Sequence, residues 1–205
     1  GRELVVELAD PSLERQFSVD LSLVRSGQGR IHEALALSER ALELARALGN
    51  RREEAVAMGN TGARLSELGR SDAAHDHYTQ AIAILTEIGE RRAAAVFEAH
   101  LANMDQERGD LASAKARLER ALAVQREVGD WAWEGLIQGY FGHIALLEDK
   151  ARQAASAYRE AGAILPGSYR RWAGQFLASQ AVAEALIDDA AAAEHLAQGR
   201  TTLQA

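Results

Sequence analysis

Few residues in this 205-residue sequence have the types and spacing that catalysis requires. His75 and His77 flank Asp76 in a segment with helical periodicity, and residues two apart on a helix point to different faces. We therefore expect them to be surface residues rather than metal ligands. No HExxH, GxSxG or glycine-rich phosphate-loop pattern occurs, and the sequence has 0 cysteines. These features indicate a protein that is not an enzyme and that needs no metal or cofactor.

Hydrogen-bonding side chains instead recur at an interval of 40 residues, and this pattern points to a binding site. The row consists of Asp20, Asn60, His100, Tyr140 and Gln180. Asn103 and His143 follow two of its members three residues later. An extended peptide offers a backbone amide or carbonyl about every 3.4 Å, so such a row can hold it without reading its sequence. The alternative is a solvent-exposed helix face that is polar and binds nothing.

Glycines and alanines share this interval and divide the chain into helical hairpins. The turn glycines form two series offset by 20 residues, namely Gly29, Gly69 and Gly109, and Gly49, Gly89 and Gly129. A left-handed glycine closes the last turn of a helix at no steric cost, so each half-interval is one helix plus a turn. Small residues mark close helix contacts at Ala34, Ala74, Ala114 and Ala154, and at Ala41, Ala81, Ala121 and Ala161.

The predicted helix starts carry residues that accept hydrogen bonds from free backbone amides. Asn50, Ser71 and Asp110 stand at predicted N-caps, and Asn50 with Glu53 has the form of a capping box. Aromatics make up only 5% of the chain and there are 2 prolines, so helix propensity dominates and the fold class is all-α. The predicted helices run near 11–26, 30–47, 51–67, 71–88, 91–107, 111–128, 131–147, 150–164, 168–186 and 189–199. The predicted divisions are a preceding helix end at 1–9, repeats at 11–48, 51–88, 91–128 and 131–165, a degenerate repeat at 168–199, and a tail at 200–205.

These residues resemble the tetratricopeptide repeat (TPR) family. The family's small first-helix residue falls at Gly62 and Gly142, its aromatic at Tyr78 and Tyr158, and its closing proline at Pro166 alone. HEAT and armadillo arrays have a similar period but lack this glycine and alanine framework. The 40-residue unit is similar to the long-helix variety of Pins-like adaptors and bacterial TPR regulatory proteins. The resemblance implies a right-handed superhelical solenoid of about five antiparallel hairpins, with the polar row on a concave groove.

Aromatic residues concentrate near the carboxyl-terminal end of the array. Eight of the eleven lie between residues 131 and 176. Because aromatic residues commonly anchor interfaces, Trp131, Trp172 and Tyr140 are candidate anchors for an apolar side chain. The alternative is a thicker core at this point. Arginine doublets such as Arg51-Arg52 begin first helices, and neighbouring glutamates favour their interpretation as solvated turns rather than a basic rim.

The function that these patterns predict is a protein–protein interaction scaffold that binds an extended peptide or helix of a partner in the groove. A second hypothesis is a sensory or regulatory TPR segment of a bacterial multidomain signalling protein, controlling a neighbouring kinase, STAND-type ATPase or transcription-regulator domain. The two differ in whether the groove contacts another chain, a small ligand or its own polypeptide.

Charge and hydropathy exclude two classes of partner. The net charge of −7 argues against general affinity for nucleic acid, because no net positive field attracts phosphates. No apolar run reaches the roughly 18 residues of a membrane span. We expect a cytoplasmic fragment of a longer array, and we expect end-to-end self-association because a solenoid without polar caps exposes apolar ends.

Overall fold

The computed structural model describes residues 10–165, 170–187 and 191–204, and all regular structure within them is α-helical. The described helices are α1 (Pro11–Gly27), α2 (Ile31–Ala47), α3 (Arg51–Glu67), α4 (Ser71–Glu87), α5 (Arg91–Glu107), α6 (Leu111–Glu127), α7 (Trp131–Leu147), α8 (Ala151–Ile164), α9 (Arg170–Leu186) and α10 (Ala192–Gln204). Odd-numbered helices are the first helices of hairpins and even-numbered ones the second. The predicted all-α class is confirmed. No described helix is long and apolar enough to cross a membrane.

The predicted helix bounds hold within one residue from α1 to α8 and fail at the last helix. That helix was expected at 189–199 with a tail at 200–205, but α10 extends to Gln204. Gly199 does not stop it. A Cβ on Gly199 would lie 3.0 Å from the backbone nitrogen of Ala178, so this glycine allows α10 to approach α9 closely inside a continuing helix. The prediction was wrong because, in the sequence, a glycine that allows close packing inside a helix cannot be distinguished from a glycine that ends one.

Side-chain caps start two of the three helices at which a cap was predicted, and the third helix lacks one. Oδ1 of Asn50 accepts from the amide of Glu53 at 3.1 Å, and Oδ1 of Asp110 accepts from that of Ser113 at 3.0 Å. The predicted cap at Ser71 is wrong, because Ser71 is already the first helical residue and Arg70 before it makes no side-chain cap bond. All six turn glycines have φ between 67° and 82°, and Asp149 takes φ 58° in the same place.

The chain divides into two compact units, residues 1–104 (unit 1) and 105–205 (unit 2), and each is described by itself. The core of unit 1 is built around Tyr78, Leu85, Phe97 and Leu101, and that of unit 2 around Tyr158, Leu165 and Phe176. The two alanine series are confirmed as close-contact positions, because all eight side chains are at most 1% exposed.

The same three-residue contact joins a hairpin to the next first helix in both units. In unit 1 the ring of Phe97 lies over Gly59, where a Cβ would be 2.0 Å from its Cζ, and 5.9 Å from the ring of Tyr78. In unit 2 the ring of Phe176 lies over Gly139 at the same 2.0 Å, and 6.0 Å from the ring of Tyr158. Each junction therefore needs glycine beneath the aromatic ring.

The step from α7 to α9 is 39 residues rather than 40, and this changes which residues are equivalent. α7 begins at Trp131 and α9 at Arg170. A Cβ on Gly135 would meet Leu165 at 2.8 Å, and one on Gly174 would meet Leu203 at 2.7 Å, so the two glycines are counterparts. Residues of α9 must therefore be compared with those of α7 at a separation of 39.

Candidate functional site

Three members of the polar row lie in unit 1, each at the tenth position of its first helix. Asp20 on α1 is exposed, and its Oδ1 accepts from Nε2 of Gln16 at 3.1 Å. Asn60 on α3 and His100 on α5 are partly exposed. Asn103, one turn after His100, is also partly exposed. We call Asp20, Asn60, Arg64, His100 and Asn103 the polar face of unit 1.

His100 is the most constrained residue of this face. Its ring stacks on that of Tyr78 at a centroid distance of 5.2 Å and an interplanar angle of 6°. Burial, together with the smaller effect of the positive charge of Arg64, lowers the pKa of His100 to about 4. The imidazole is therefore neutral near pH 7 and carries both a hydrogen-bond donor and an acceptor.

Arg64 is the functional candidate that the sequence analysis missed. One of its terminal nitrogens lies 2.9 Å from Oε1 of Glu67, while its Nε is buried and has no hydrogen-bond partner among the described residues. Ser26 donates to Glu67 from the other side at 2.9 Å. The available signal was the 40-residue step itself, because the equivalent positions hold Val24, Met104 and Ile144. A positively charged residue at a position that is otherwise apolar is therefore the sequence feature that indicates Arg64.

Tyr140, the member of the polar row on α7 in unit 2, is buried and does not offer its side chain to a ligand. It is 8% exposed, and its ring meets Trp172 edge-on at a centroid distance of 6.5 Å. Burial raises the pKa of Tyr140 to about 12. The expectation of an exposed Tyr140 is therefore wrong, because the larger ring reaches the neighbouring first helix. His143, one turn later, is exposed.

Gln180 does not belong to the predicted row, because α9 begins 39 rather than 40 residues after α7. With the 39-residue step, its counterpart on α7 is Phe141, and the tenth position of α9 is Ser179. Gln180 is 3% exposed and its Nε2 donates to Oε1 of Glu184 at 2.8 Å. Ser179 is partly exposed and hydrogen-bonds Tyr158, the counterpart of the Tyr78 on which His100 stacks.

Gln180 belongs to a buried polar cluster of the last hairpin. The carboxylate of Glu184 is fully buried, and Nδ1 of His195 lies 2.5 Å from its Oε2. A terminal nitrogen of Arg159 lies 3.5 Å from Oε1 of the same group. These contacts hold α10 and α8 to α9, which is a structural role.

The two candidate aromatic anchors differ in environment. Trp131, the first residue of α7, is 51% exposed. Trp172 packs against the core of unit 2, with its ring 6.2 Å from that of Phe176. Trp172 therefore contributes to the thicker core that was the alternative interpretation, while Trp131 keeps an exposed ring face.

The arginine doublet at the start of α3 is accounted for by ordinary ion pairs. Arg51 pairs with Glu54 and Glu87, and Arg52 pairs with Glu53 and Glu90, so this doublet is neutralised at the turn. In the part of the chain that the structure describes, no group of three His, Cys, Asp or Glu side chains could hold a metal ion.

Comparison with protein families identifies the class of protein. Tetratricopeptide repeat models match residues 16–87 and residues 99–128. The resemblance to the tetratricopeptide repeat family is confirmed over these two segments. No protein with a curated description matches the sequence.

Solved structures show the same fold at low identity. BtubC (BKLC) from P. vanneervenii matches with a TM-score of 0.77 and 18% identity, over 98% of this chain and 86% of that one. A Rap protein complexed with competence and sporulation factor matches with a TM-score of 0.82 and 18% identity, over 93% of this chain and 54% of that one. A STAND protein with a tetratricopeptide repeat sensor from Pyrococcus horikoshii matches with a TM-score of 0.67 and 15% identity, over 98% of this chain and 32% of that one. These likenesses establish the fold.

Proposed function

We propose that this chain is a non-enzymatic interaction scaffold whose unit 1 binds an extended peptide on its polar face. The observation that carries the proposal is the fixed guanidinium of Arg64 next to the neutral ring of His100. The Nε–H of Arg64 is a buried donor that still lacks an acceptor among the described residues. Because an unsatisfied buried donor costs about 1 to 3 kcal/mol, a ligand oxygen gains that energy back when the Arg64 side chain turns to present Nε to it.

The neighbouring side chains match a peptide backbone in type. Asn60, His100 and Asn103 carry amide and imidazole groups, which are the side-chain types that hydrogen-bond backbone amides and carbonyls. None of the three carries a charge at pH 7, so the face can pair with backbone amides and carbonyls irrespective of the ligand's side chains. The Rap structure with its bound factor supports this proposal by likeness of fold.

The experiment that tests this function begins with peptides selected from a random display library on the intact chain. Their affinities are then measured for the parent and for the double variant Asn60→Ala, Asn103→Ala. Each lost hydrogen bond should weaken binding by about 1 to 3 kcal/mol. His100→Ala is a poorer test, because it also removes the ring that stacks on Tyr78.

The matched control is Thr79→Ala with Gln80→Ala, two exposed polar residues of the second helix α4 in the same unit. It should bind the selected peptides like the parent. Equal affinity of all three proteins, or a selection that yields no saturable peptide, would contradict the proposed function.

A second candidate is a regulatory segment that senses a ligand for a neighbouring domain. It is supported by the likeness to the STAND protein, in which the matched region is about a third of that chain and the repeats are described as a sensor. The two functions differ in ligand. A screen of small molecules by thermal shift, run beside the peptide selection, favours the sensor if the saturable ligands are small molecules that Asn60→Ala weakens.

A further inference from the structure

In both units the aromatic residue of a second helix contacts the tenth residue of the next first helix. In unit 1 the ring of Tyr78 on α4 stacks on that of His100 on α5, at a centroid distance of 5.2 Å and an interplanar angle of 6°. In unit 2 Tyr158 on α8 hydrogen-bonds Ser179, the tenth residue of α9. A core residue of one hairpin therefore touches the position that carries the polar row in the next.

The ring of Tyr78 is fixed by its own packing inside unit 1. It is 2% exposed, and a Cβ on Gly62 of the same hairpin would lie 3.2 Å from its Cε1. The ring of Phe97, on the next first helix, lies 5.9 Å from it. Because protein interiors are close-packed, the tyrosine ring cannot tilt without displacing these neighbours, and a side chain stacked on it takes its orientation.

His100 needs this support because its place on the helix alone does not fix its imidazole plane. The χ2 torsion of histidine is broad when nothing restrains it. Two rings restrain it here, since Phe97, one turn earlier on α5, also lies 6.4 Å away at an angle of 30°. The ring nitrogens of histidine make hydrogen bonds close to the ring plane, so the plane that Tyr78 sets is also the direction of those bonds.

We propose that Tyr78 is a positioning residue of the polar face, which raises peptide affinity by fixing the imidazole plane of His100 before the ligand arrives. This inference rests on the proposed function. Tyr78 is buried, so it acts through His100 rather than by touching the peptide. An interface side chain that is already ordered avoids the entropy cost of its immobilisation, which corresponds to roughly 2- to 12-fold in affinity.

Asn60 differs from His100 in this respect and provides an internal comparison. The residue of α2 equivalent to Tyr78 is Ser38, and its hydroxyl oxygen lies 2.7 Å from that of Ser22. The second helix before Asn60 therefore supplies no stacked ring at this position. A change at Tyr78 should remove affinity that comes from His100 and leave the contribution of Asn60.

The test measures the affinity of the selected peptides for Tyr78→Phe and Tyr78→Leu by isothermal titration calorimetry on the intact chain. Tyr78→Phe keeps the stacked ring and should bind like the parent. Tyr78→Leu removes the ring, and this position accepts leucine in α6, where Leu118 is 0% exposed. Tyr78→Leu should bind roughly 2- to 12-fold more weakly than the parent.

The matched control is Tyr158→Leu, which removes the equivalent ring in unit 2. Tyr158 is also 2% exposed, and a Cβ on Gly142 would lie 2.8 Å from its Cε1, so the loss of packing is similar. This control should leave the peptide affinity unchanged. In a His100→Gln background, Tyr78→Leu should cost no further affinity, because the residue that Tyr78 orients is absent. An equal loss with and without His100 would mean that Tyr78 acts by general packing, and the proposal would be wrong.

A measurement on the parent tests the inference even if Tyr78→Leu is too unstable to assay. Stacking on Tyr78 should shift the carbon-bound ring protons of His100 upfield in NMR spectra, and Tyr78→Phe should keep that shift. The shift should persist when the peptide saturates the chain. Its loss on binding would show that the imidazole leaves Tyr78 to reach the ligand, which would overturn the proposal.

The variants also separate failure of this inference from failure of the proposed function. If Asn60→Ala, Asn103→Ala binds the peptides like the parent, the proposed function is wrong and the role of Tyr78 is wrong with it. If that double variant binds weakly while Tyr78→Leu binds like the parent, only the role of Tyr78 is wrong.

Discussion

At the scale of single residues, the two glycines beneath aromatic rings are the positions most sensitive to substitution. A Cβ on Gly59 or Gly139 would lie 2.0 Å from the ring of Phe97 or Phe176, and no real pair of carbon atoms approaches so closely. Gly59→Ala and Gly139→Ala should each lower the free energy of unfolding by about 1 to 3 kcal/mol in urea denaturation, because the ring must leave its site.

The control for this prediction is Gly162→Ala in α8, where a Cβ would meet nothing within 4 Å. It should raise stability by about 0.5 to 1 kcal/mol, since alanine restricts the unfolded chain and favours the helix. If Gly59→Ala behaves like this control, the aromatic ring does not need the glycine and the description of the junction is wrong.

His100 makes a second prediction at this scale, which concerns pH. Burial lowers the pKa of His100 to about 4 in the folded chain, whereas an unfolded histidine titrates near pH 6.5. The unfolded state therefore binds the extra proton first, so the contribution of His100 to stability is full above pH 6.5 and falls as pH decreases toward 4. His100→Gln removes this titration and keeps a polar side chain.

Between pH 7 and pH 5 the parent should lose about 1 to 2 kcal/mol more stability than His100→Gln, measured as the difference of their urea unfolding free energies at each pH. His77 also has a lowered pKa, because of burial, and it is present in both proteins, so its effect cancels in the comparison. Parallel stability–pH curves for the two proteins would show that His100 is not buried in solution.

At the scale of elements, the last hairpin depends on a polar contact between its two helices. Glu184 on α9 is fully buried, and His195 on α10 lies within hydrogen-bond distance of it. His195→Ala should destabilise the chain by about 1 to 3 kcal/mol, because it leaves a buried carboxylate short of a partner. Gln198→Ala, at an exposed residue on the same helix, should have little effect.

The double variant Glu184→Gln, His195→Ala separates this explanation from a simple loss of packing. If the uncompensated carboxylate causes the loss, replacing it by an amide should recover part of the stability. Urea denaturation of the parent, the two single variants and the double variant gives the coupling free energy between the two residues. A double variant that is less stable than His195→Ala alone would refute the explanation.

The hairpin grid could be predicted from the sequence because each helix end is a local event. Turn glycines, and the caps at Asn50 and Asp110, act within a few residues of themselves, so eight helices were bounded within one residue. The failures came from contacts between helices. Gly199 looked like a terminator because the helix that packs on it is distant in sequence, and the 39-residue step moved Gln180 into the core although the spacing from Tyr140 remained 40.

The candidate site was predicted in part for the same reason. The exposure of Asp20, Asn60 and His100 could be predicted because a regular step reveals equivalent positions on successive helices, and their role in binding stays a prediction. Tyr140 was not excluded because burial depends on the neighbouring Trp172. Arg64 escaped notice because its lack of a partner at Nε is visible only in three dimensions.

At the scale of the whole molecule, the proposed peptide binding links stability to ligand concentration. A ligand that binds folded chains alone stabilises them, by about 2.7 kcal/mol when the free ligand is at 100 times its dissociation constant. In a chain of this size each kcal/mol shifts the melting midpoint by roughly 2 to 4 °C. The parent should therefore melt several degrees higher with a saturating selected peptide than without it, as should the control variant Thr79→Ala, Gln80→Ala. The double variant Asn60→Ala, Asn103→Ala should melt close to its peptide-free temperature in the same mixture, and a parent whose midpoint is equally unchanged would show that the peptide does not bind the folded chain.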